Sequence, residues 1–436
     1  MGHNRTILCP AVGTVLMWLA LLTFLPVTVG TTQTDATTEK PAVTTLWTAE
    51  EWARARRFSP LPAPPPDPTN ALADNLQAAR LGQRLFFDSR LSPHGVACAT
   101  CHVPERGFTD SRPVAETLAP LHRNTMTILN VGHYRWLTWD GASDSLWHQA
   151  ALPIENPREM GSSRLYVVQA VMRYYGQELA QLVPLPAGWK ILWPTLPATG
   201  SPGQAAFDTL SPAQQEDVTR VFVTILKSLA AYERQVVSAP APFDRFVAGD
   251  QQALTVSAQR GFQHFLRLGC ATCHSTPLFS DDEFHNLGLP SVPAPDEGRA
   301  EGLRRLQHSP LRGSGAYSDG PPLAHAEDYQ VGASLRGSFR TPSLRELQYT
   351  APYGHNGALA TLADWLKHYK DVFSLPPERL VGRLDPTLEA VEITPQEQEE
   401  LEDFLCSLSS DYDSPWTEPP VEVPPPTEPA PSSRKE

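Results

Sequence analysis

The chain has 436 residues, 41% of them hydrophobic and 19% charged, with a net charge of −13. The apolar content excludes a wholly disordered chain, and the acidic balance argues against a nucleic-acid partner. Six cysteines are too few for a disulfide-rich scaffold, and 44 prolines must lie mostly outside helices.

Residues 1–30 read as a signal peptide. Arg5 supplies the positive end, Ala11 to Val29 is a nearly unbroken apolar run, and small Gly30 and Thr31 follow. An uncleaved membrane anchor is the alternative, because the run is long enough to span a bilayer. Either way the body lies outside the cytoplasm, which makes it periplasmic, and no later segment is apolar enough to cross a membrane. Residues 31–70 form a Pro-rich linker, with Pro60 to Pro68 an extended, polyproline-like spacer. At the other end, residues 411–436 read as a disordered, proline-rich acidic tail.

The body, 71–410, is predicted to be mainly α. Ser211-Pro212 with Gln214 is an N-cap, N1 and N3 signature before a run of helical spacing from Val218 to Leu229. Thr394-Pro395 with Glu397 repeats the device, and Thr361 with Asp364 is a third cap. Arg80-Leu81-Gly82 and Arg260-Gly261 open an internal repeat, each Gly being followed four residues later by Phe86 or Phe265. This predicts two tandem domains, 71–240 and 241–410, joined near Pro240.

After each repeat comes a CxxCH motif: Cys98, Cys101 and His102, then Cys270, Cys273 and His274. This is the attachment signal for c-type haem, in which the thiols add to the vinyl groups and the His reaches the iron. One four-cysteine zinc site is an alternative, but it leaves the His after each pair unexplained. A thioredoxin-like redox pair expects a βαβ context that is not visible. Cys406 reads as a small apolar residue of a late helix.

Around these motifs the sequence resembles the bacterial dihaem cytochrome c peroxidase family, including its MauG branch. The resembling stretches are Leu81 through His102, Arg123-Asn124-Thr125, Trp139-Asp140-Gly141, Gln149 through Gly161, Asn286-Leu287-Gly288, and Phe339 through Tyr369. The resemblance implies two tandem cytochrome-c-like haem domains, two covalently bound c-type haems and a calcium ion near the domain interface. It implies a first haem that reacts with hydrogen peroxide and a second that stores or relays an electron. By the same resemblance Trp139 bridges the haems. Gln149, Pro153 and Glu159 line the distal pocket of the first, where Glu159 carries a proton and Glu155 is the nearby rival. Calcium falls to the Asn124 side chain and to the Thr350 and Pro352 carbonyls.

Two ligand positions set the branch. Conventional members carry a His after the first CxxCH that blocks the iron. Val103 to Leu121 contains none, and His122, immediately before Arg123-Asn124, comes too late for the family position, so the first haem is expected to be open. Conventional members ligate the second haem with Met, yet all five methionines lie before residue 173. Tyr369 occupies the family position, with His355 and His368 as alternatives. A phenolate stabilises ferric and higher oxidation states. Both features match MauG. Departures are Ala142, where Arg is common, Met126, where Pro is usual, and the lack of Trp or Tyr in 260–269, where MauG has a relay Trp. The expected function is a MauG-like dihaem oxidoreductase that uses peroxide on a protein substrate or redox partner. A conventional cytochrome c peroxidase and a non-catalytic electron-transfer cytochrome are the alternatives.

Overall fold

The protein was analysed as a computed structural model, which describes residues 46–290, 295–322 and 326–420. The signal peptide read over 1–30 and the start of the linker lie outside the described residues. Twelve α-helices follow in chain order among them. The first six are α1 (Ala49–Phe58), α2 (Leu76–Phe87), α3 (Leu146–Glu155), α4 (Arg164–Leu182), α5 (Trp189–Leu192) and α6 (Ala205–Asp208). The others are α7 (Pro212–Glu233), α8 (Pro242–Val247), α9 (Val256–Arg267), α10 (Arg299–His308), α11 (Leu362–Asp371) and α12 (Pro395–Cys406). The described strands are two short ones, β1 (Phe284–His285) and β2 (Phe339–Arg340), paired antiparallel. The fold is therefore mainly helical, as expected. No described helix is long and apolar enough to cross a membrane.

Local chemistry sets the helix ends. Ser211, Thr361 and Thr394 each form a capping box, with Gln214, Asp364 and Glu397 reaching back to the cap backbone. The repeat is a packing device. A Cβ on Gly82 of α2 would stand 1.9 Å from the Ser228 carbonyl oxygen of α7. A Cβ on Gly261 of α9 would stand 1.9 Å from the Glu400 carbonyl oxygen of α12. In both places the missing side chain lets two helix backbones touch. Phe86 and Phe265, one turn further on, are fully buried beside those crossings.

Two large apolar cores result, with two smaller clusters beside them. One gathers α2, α3, α4 and α7 around Phe86, Trp147, Phe222 and Trp189. The other gathers α8, α9 and α12 around Phe243, Phe262, Phe265 and Phe404. Each buried Phe or Leu of this kind contributes about 1.5–3 kcal/mol of transfer free energy. Cys406 is half-buried against the second core.

Both ends of the chain depart from the reading above. The linker read over 31–70 is not extended throughout: Thr48 and Glu51 form a capping box that starts α1. Trp47, Ala55 and Phe58 enter the second core, and the Trp47 indole N–H donates to the Gln259 carbonyl at 2.9 Å. Only then does the chain run extended through the prolines, where Pro65 accepts from Arg234 at 2.8 Å. The tail read over 411–436 is ordered as far as it is described. Trp416 lies under the Arg80 guanidinium, 4.0 Å from its ring centre, and its carbonyl accepts from Tyr232 at 2.9 Å. Packing aromatic anchors, Trp47 and Phe58 at one end and Trp416 at the other, outweighs the proline content. The N-terminal segment thus lies on the second core and the C-terminal segment on the first.

Candidate haem and peroxide site

Both CxxCH motifs form the same local structure. Cys98–Thr100 and Cys270–Thr272 are single 3₁₀ turns that leave the His just beyond. His102 Nδ1 lies 3.2 Å from the Phe108 carbonyl oxygen and His274 Nδ1 lies 2.6 Å from that of Phe279. A carbonyl only accepts, so Nδ1 carries the proton and Nε2 keeps its lone pair for a metal. Burial pulls both imidazoles below their usual pKa, which favours the same neutral form. Burial likewise pushes the free thiols up, Cys98 to about 12 and Cys270 to about 11. The four cysteines do not converge among the described residues, which removes the zinc alternative.

Beside the second motif opens a cavity of about 370 Å³. Cys270, Cys273 and His274 line it, and so does Tyr369 from α11. Leu268, Leu344, Leu362, Leu366 and Leu401 make its wall apolar. These residues fit a haem: two anchors, one imidazole with a free nitrogen, one phenol and an apolar wall. Burial raises the Tyr369 pKa most strongly, the two thiols add to it, and a hydrogen bond from Trp365 opposes it. His355 also reaches the wall, stacked on Phe339 with centroids 3.6 Å apart. His368 does not line it; its Nε2 donates to the Leu287 carbonyl at 2.7 Å.

Near the first motif, α3 carries Gln149 and Pro153 four residues apart on one half-buried face. Pro153 lacks an N–H, so the Gln149 carbonyl loses its helical donor. The chain folds back after α3: Met160 N donates to the Pro153 carbonyl at 3.2 Å. This return holds Glu159, whose carboxyl is raised by burial and opposed by a 2.7 Å hydrogen bond from Asn156. Glu159 lies close enough to Cys101 to help burial and Asp110 push that thiol up to about 11. The rival Glu155 is committed elsewhere. It pairs with Arg164 at 3.3 Å and accepts from Ser201 at 2.6 Å. His122 is exposed.

The two units meet at Trp139. Its indole N–H donates to the Asn124 carbonyl at 2.9 Å, and its own carbonyl accepts from Arg340 N of β2 at 2.8 Å. Next to it, fully buried Asp140 pairs with Arg123 at 2.7 Å and with Arg305. Burial alone would raise this carboxyl, but the two guanidiniums hold it at about 2. Asn124, Thr350 and Pro352 line the cavity together. The Asn124 amide N–H is used on the Arg112 carbonyl at 2.7 Å, which leaves its oxygen for a cation. One amide and two carbonyl oxygens fit a hard ion such as calcium.

Two groups escaped sequence reasoning. Glu233 ends α7 buried beside Cys98, and burial lifts its carboxyl to about 8. His285 lies between two carboxylates, Asp281 at 3.0 Å and Asp385 at 2.7 Å, beside Cys273. The first offered only an acid at the end of an apolar run. The second needs residues a hundred positions apart.

Comparison with known proteins places the chain in a family. The family model for di-haem cytochrome c peroxidase matches residues 76–252. The methylamine utilization protein MauG of Methylorubrum extorquens is 34% identical over 82% of this chain and 84% of its own length. A cytochrome-c peroxidase of Denitromonas iodatirespirans is 34% identical over 81% of this chain and 87% of its own. The crystal structure of a MauG-like protein associated with microbial copper homeostasis superposes with a TM-score of 0.60. It is 27% identical and covers 83% of this chain and 99% of its own.

Proposed function

The chain belongs to the di-haem cytochrome c peroxidase family, and from that premise we propose a periplasmic, MauG-like oxidoreductase. It acts on hydrogen peroxide at the N-terminal haem and spends the oxidising equivalents on a protein substrate or a redox partner. Cys98, Cys101 and His102 hold the first c-type haem covalently, and Cys270, Cys273 and His274 hold the second. Haem, when bound, supplies the redox-active iron at which peroxide is reduced.

The protein's own residues do the rest. Glu159, with its raised pKa, takes a proton from incoming peroxide and returns one to the departing oxygen. Gln149 and Pro153 shape the face on which peroxide sits. Trp139, tied to both units, splits one long electron transfer into two short hops. Tyr369 gives the second haem a hard anionic donor that favours oxidised states. Calcium, held by Asn124, Thr350 and Pro352, joins the segments that flank Trp139. Export follows from the N-terminal apolar stretch and from covalent haem attachment.

The observation that carries the reading is that His274 and Tyr369 line one cavity, while no His stands in Val103 to Leu121. The test is EPR of the resting ferric protein, then optical and Mössbauer spectra after one equivalent of peroxide. A high-spin first haem and a change at both haems are expected. A low-spin, six-coordinate first haem refutes the reading. Rapid multiple-turnover oxidation of a small cytochrome would instead identify a conventional peroxidase.

A further inference from the structure

Reducing one peroxide takes two electrons, and these must cross the protein surface at some point. Residues 260–269, ahead of the second CxxCH, hold neither Trp nor Tyr. We propose that Trp365 is the surface relay through which external one-electron donors reach the Tyr369 side of the second haem site. This rests on the function proposed above.

Trp365 stands on α11 four residues before Tyr369, so the two share a helix face. Their rings meet edge to face with centroids 5.7 Å apart. Trp365 lines the cavity and keeps part of its surface exposed. Its remaining ring contact is His368, stacked at 5.6 Å.

The other oxidisable rings on this cavity wall are worse placed. Tyr134 is half-exposed too, but the Arg340 guanidinium lies 3.5 Å from its ring centre. A cation held over the ring face stabilises its electrons and opposes their loss. Tyr353 is buried, and its hydroxyl is spent on the Leu347 carbonyl at 2.9 Å. Trp139 sits where the two units meet, and its indole N–H is bonded to the Asn124 carbonyl. Among the described rings on this wall, Trp365 combines partial exposure, contact with Tyr369 and no guanidinium over its face.

The step balances as follows. A donor loses one electron and is oxidised by one. That electron refills the indole of Trp365 after the indole has passed its own electron inward. No bond to Trp365 forms or breaks. Two such passages, with two protons taken up on the Glu159 side, convert one hydrogen peroxide to two waters.

The test compares Trp365→Phe, Trp365→Tyr and the unaltered holoprotein, with the dye ABTS as one-electron donor. The optical change at the first haem on one equivalent of peroxide should be the same in all three. Trp365→Phe should slow dye oxidation on the order of tenfold with an unchanged KM for peroxide, and Trp365→Tyr should restore most of it. Without donor, excess peroxide should leave hydroxytryptophan or kynurenine at Trp365, found by peptide mapping. An unchanged dye rate in Trp365→Phe, or an unmodified Trp365, overturns the relay while leaving the peroxide chemistry standing. No optical response in the unaltered protein overturns both.

Discussion

On the proposed mechanism, Glu159→Gln removes the step in which the protein itself moves the peroxide proton. Positioned acid–base groups are worth about 10²–10⁴-fold, so the second-order rate with peroxide should fall by that amount. Asn156→Ala tests the mechanism more finely. The Asn156 amide donates to Glu159 at 2.7 Å and holds its carboxyl below where burial alone would put it. A hydrogen bond to a charged group is worth roughly 1.5–3 kcal/mol, and partial exposure of Glu159 argues for the lower figure. At 1.36 kcal/mol per unit, the carboxyl should rise by about one further pH unit. The base form must be ionised to accept the proton, so the rate climbs with pH through this pKa. The rising limb should therefore move about one unit higher in Asn156→Ala and vanish in Glu159→Gln. Stopped-flow rates from pH 4 to 9 measure both. A Glu159→Gln rate within about threefold of normal, or an unmoved limb in Asn156→Ala, refutes the assignment.

Tyr369→Met replaces an anionic donor by a neutral thioether, so the potential of the second haem should rise on the order of 0.1 V or more in spectroelectrochemistry. Asp140→Asn strips Arg123 and Arg305 of their shared partner. Lowering a carboxyl from 3.8 to about 2 corresponds to roughly 2–3 kcal/mol, which should appear as a lower denaturation midpoint at pH 7. Because this pKa is depressed on folding, the loss should be complete above pH 4 and should shrink as pH falls through about 2. Gly261→Ala places a methyl 1.9 Å from the Glu400 carbonyl oxygen, and forcing α9 from α12 should cost about 1–3 kcal/mol.

The two CxxCH motifs were legible because such a signal is local: two thiols and a His lie within five residues. Helix starts at Ser211, Thr361 and Thr394 were legible for the same reason, since a capping box spans four positions. The Thr48–Glu51 box has the same form, but the prolines that follow it dominate the composition of 31–70. What was not legible depends on distant partners. Trp47 has no visible reason to be ordered until Phe243 and Phe262 are brought to it. Trp416 needs Arg80, and the burial of Glu233 needs the packing of α2 on α7. Of the ligand alternatives, His368 is removed by its bond to Leu287, a contact between segments 81 residues apart.

The crossed chain ends bear on electron transfer. Tunnelling weakens steeply with distance, so a two-haem protein must keep its relay groups from drifting. Here α1 packs on the second core and Trp416 on the first. The chain passes from each unit to the other at both ends as well as through 234–242. Parting the units would expose Trp47, Phe58 and Trp416 and would break the Asp140 ion cluster next to Trp139. Each fully exposed aromatic or aliphatic side chain costs about 1.5–3 kcal/mol, so the open state is disfavoured by several such terms together. The position of Trp139 against β2, fixed by the Arg340-to-Trp139 hydrogen bond, is therefore set by the whole chain and not by its local loop. The described parts of the segments read as linker and tail help hold the two units at one separation.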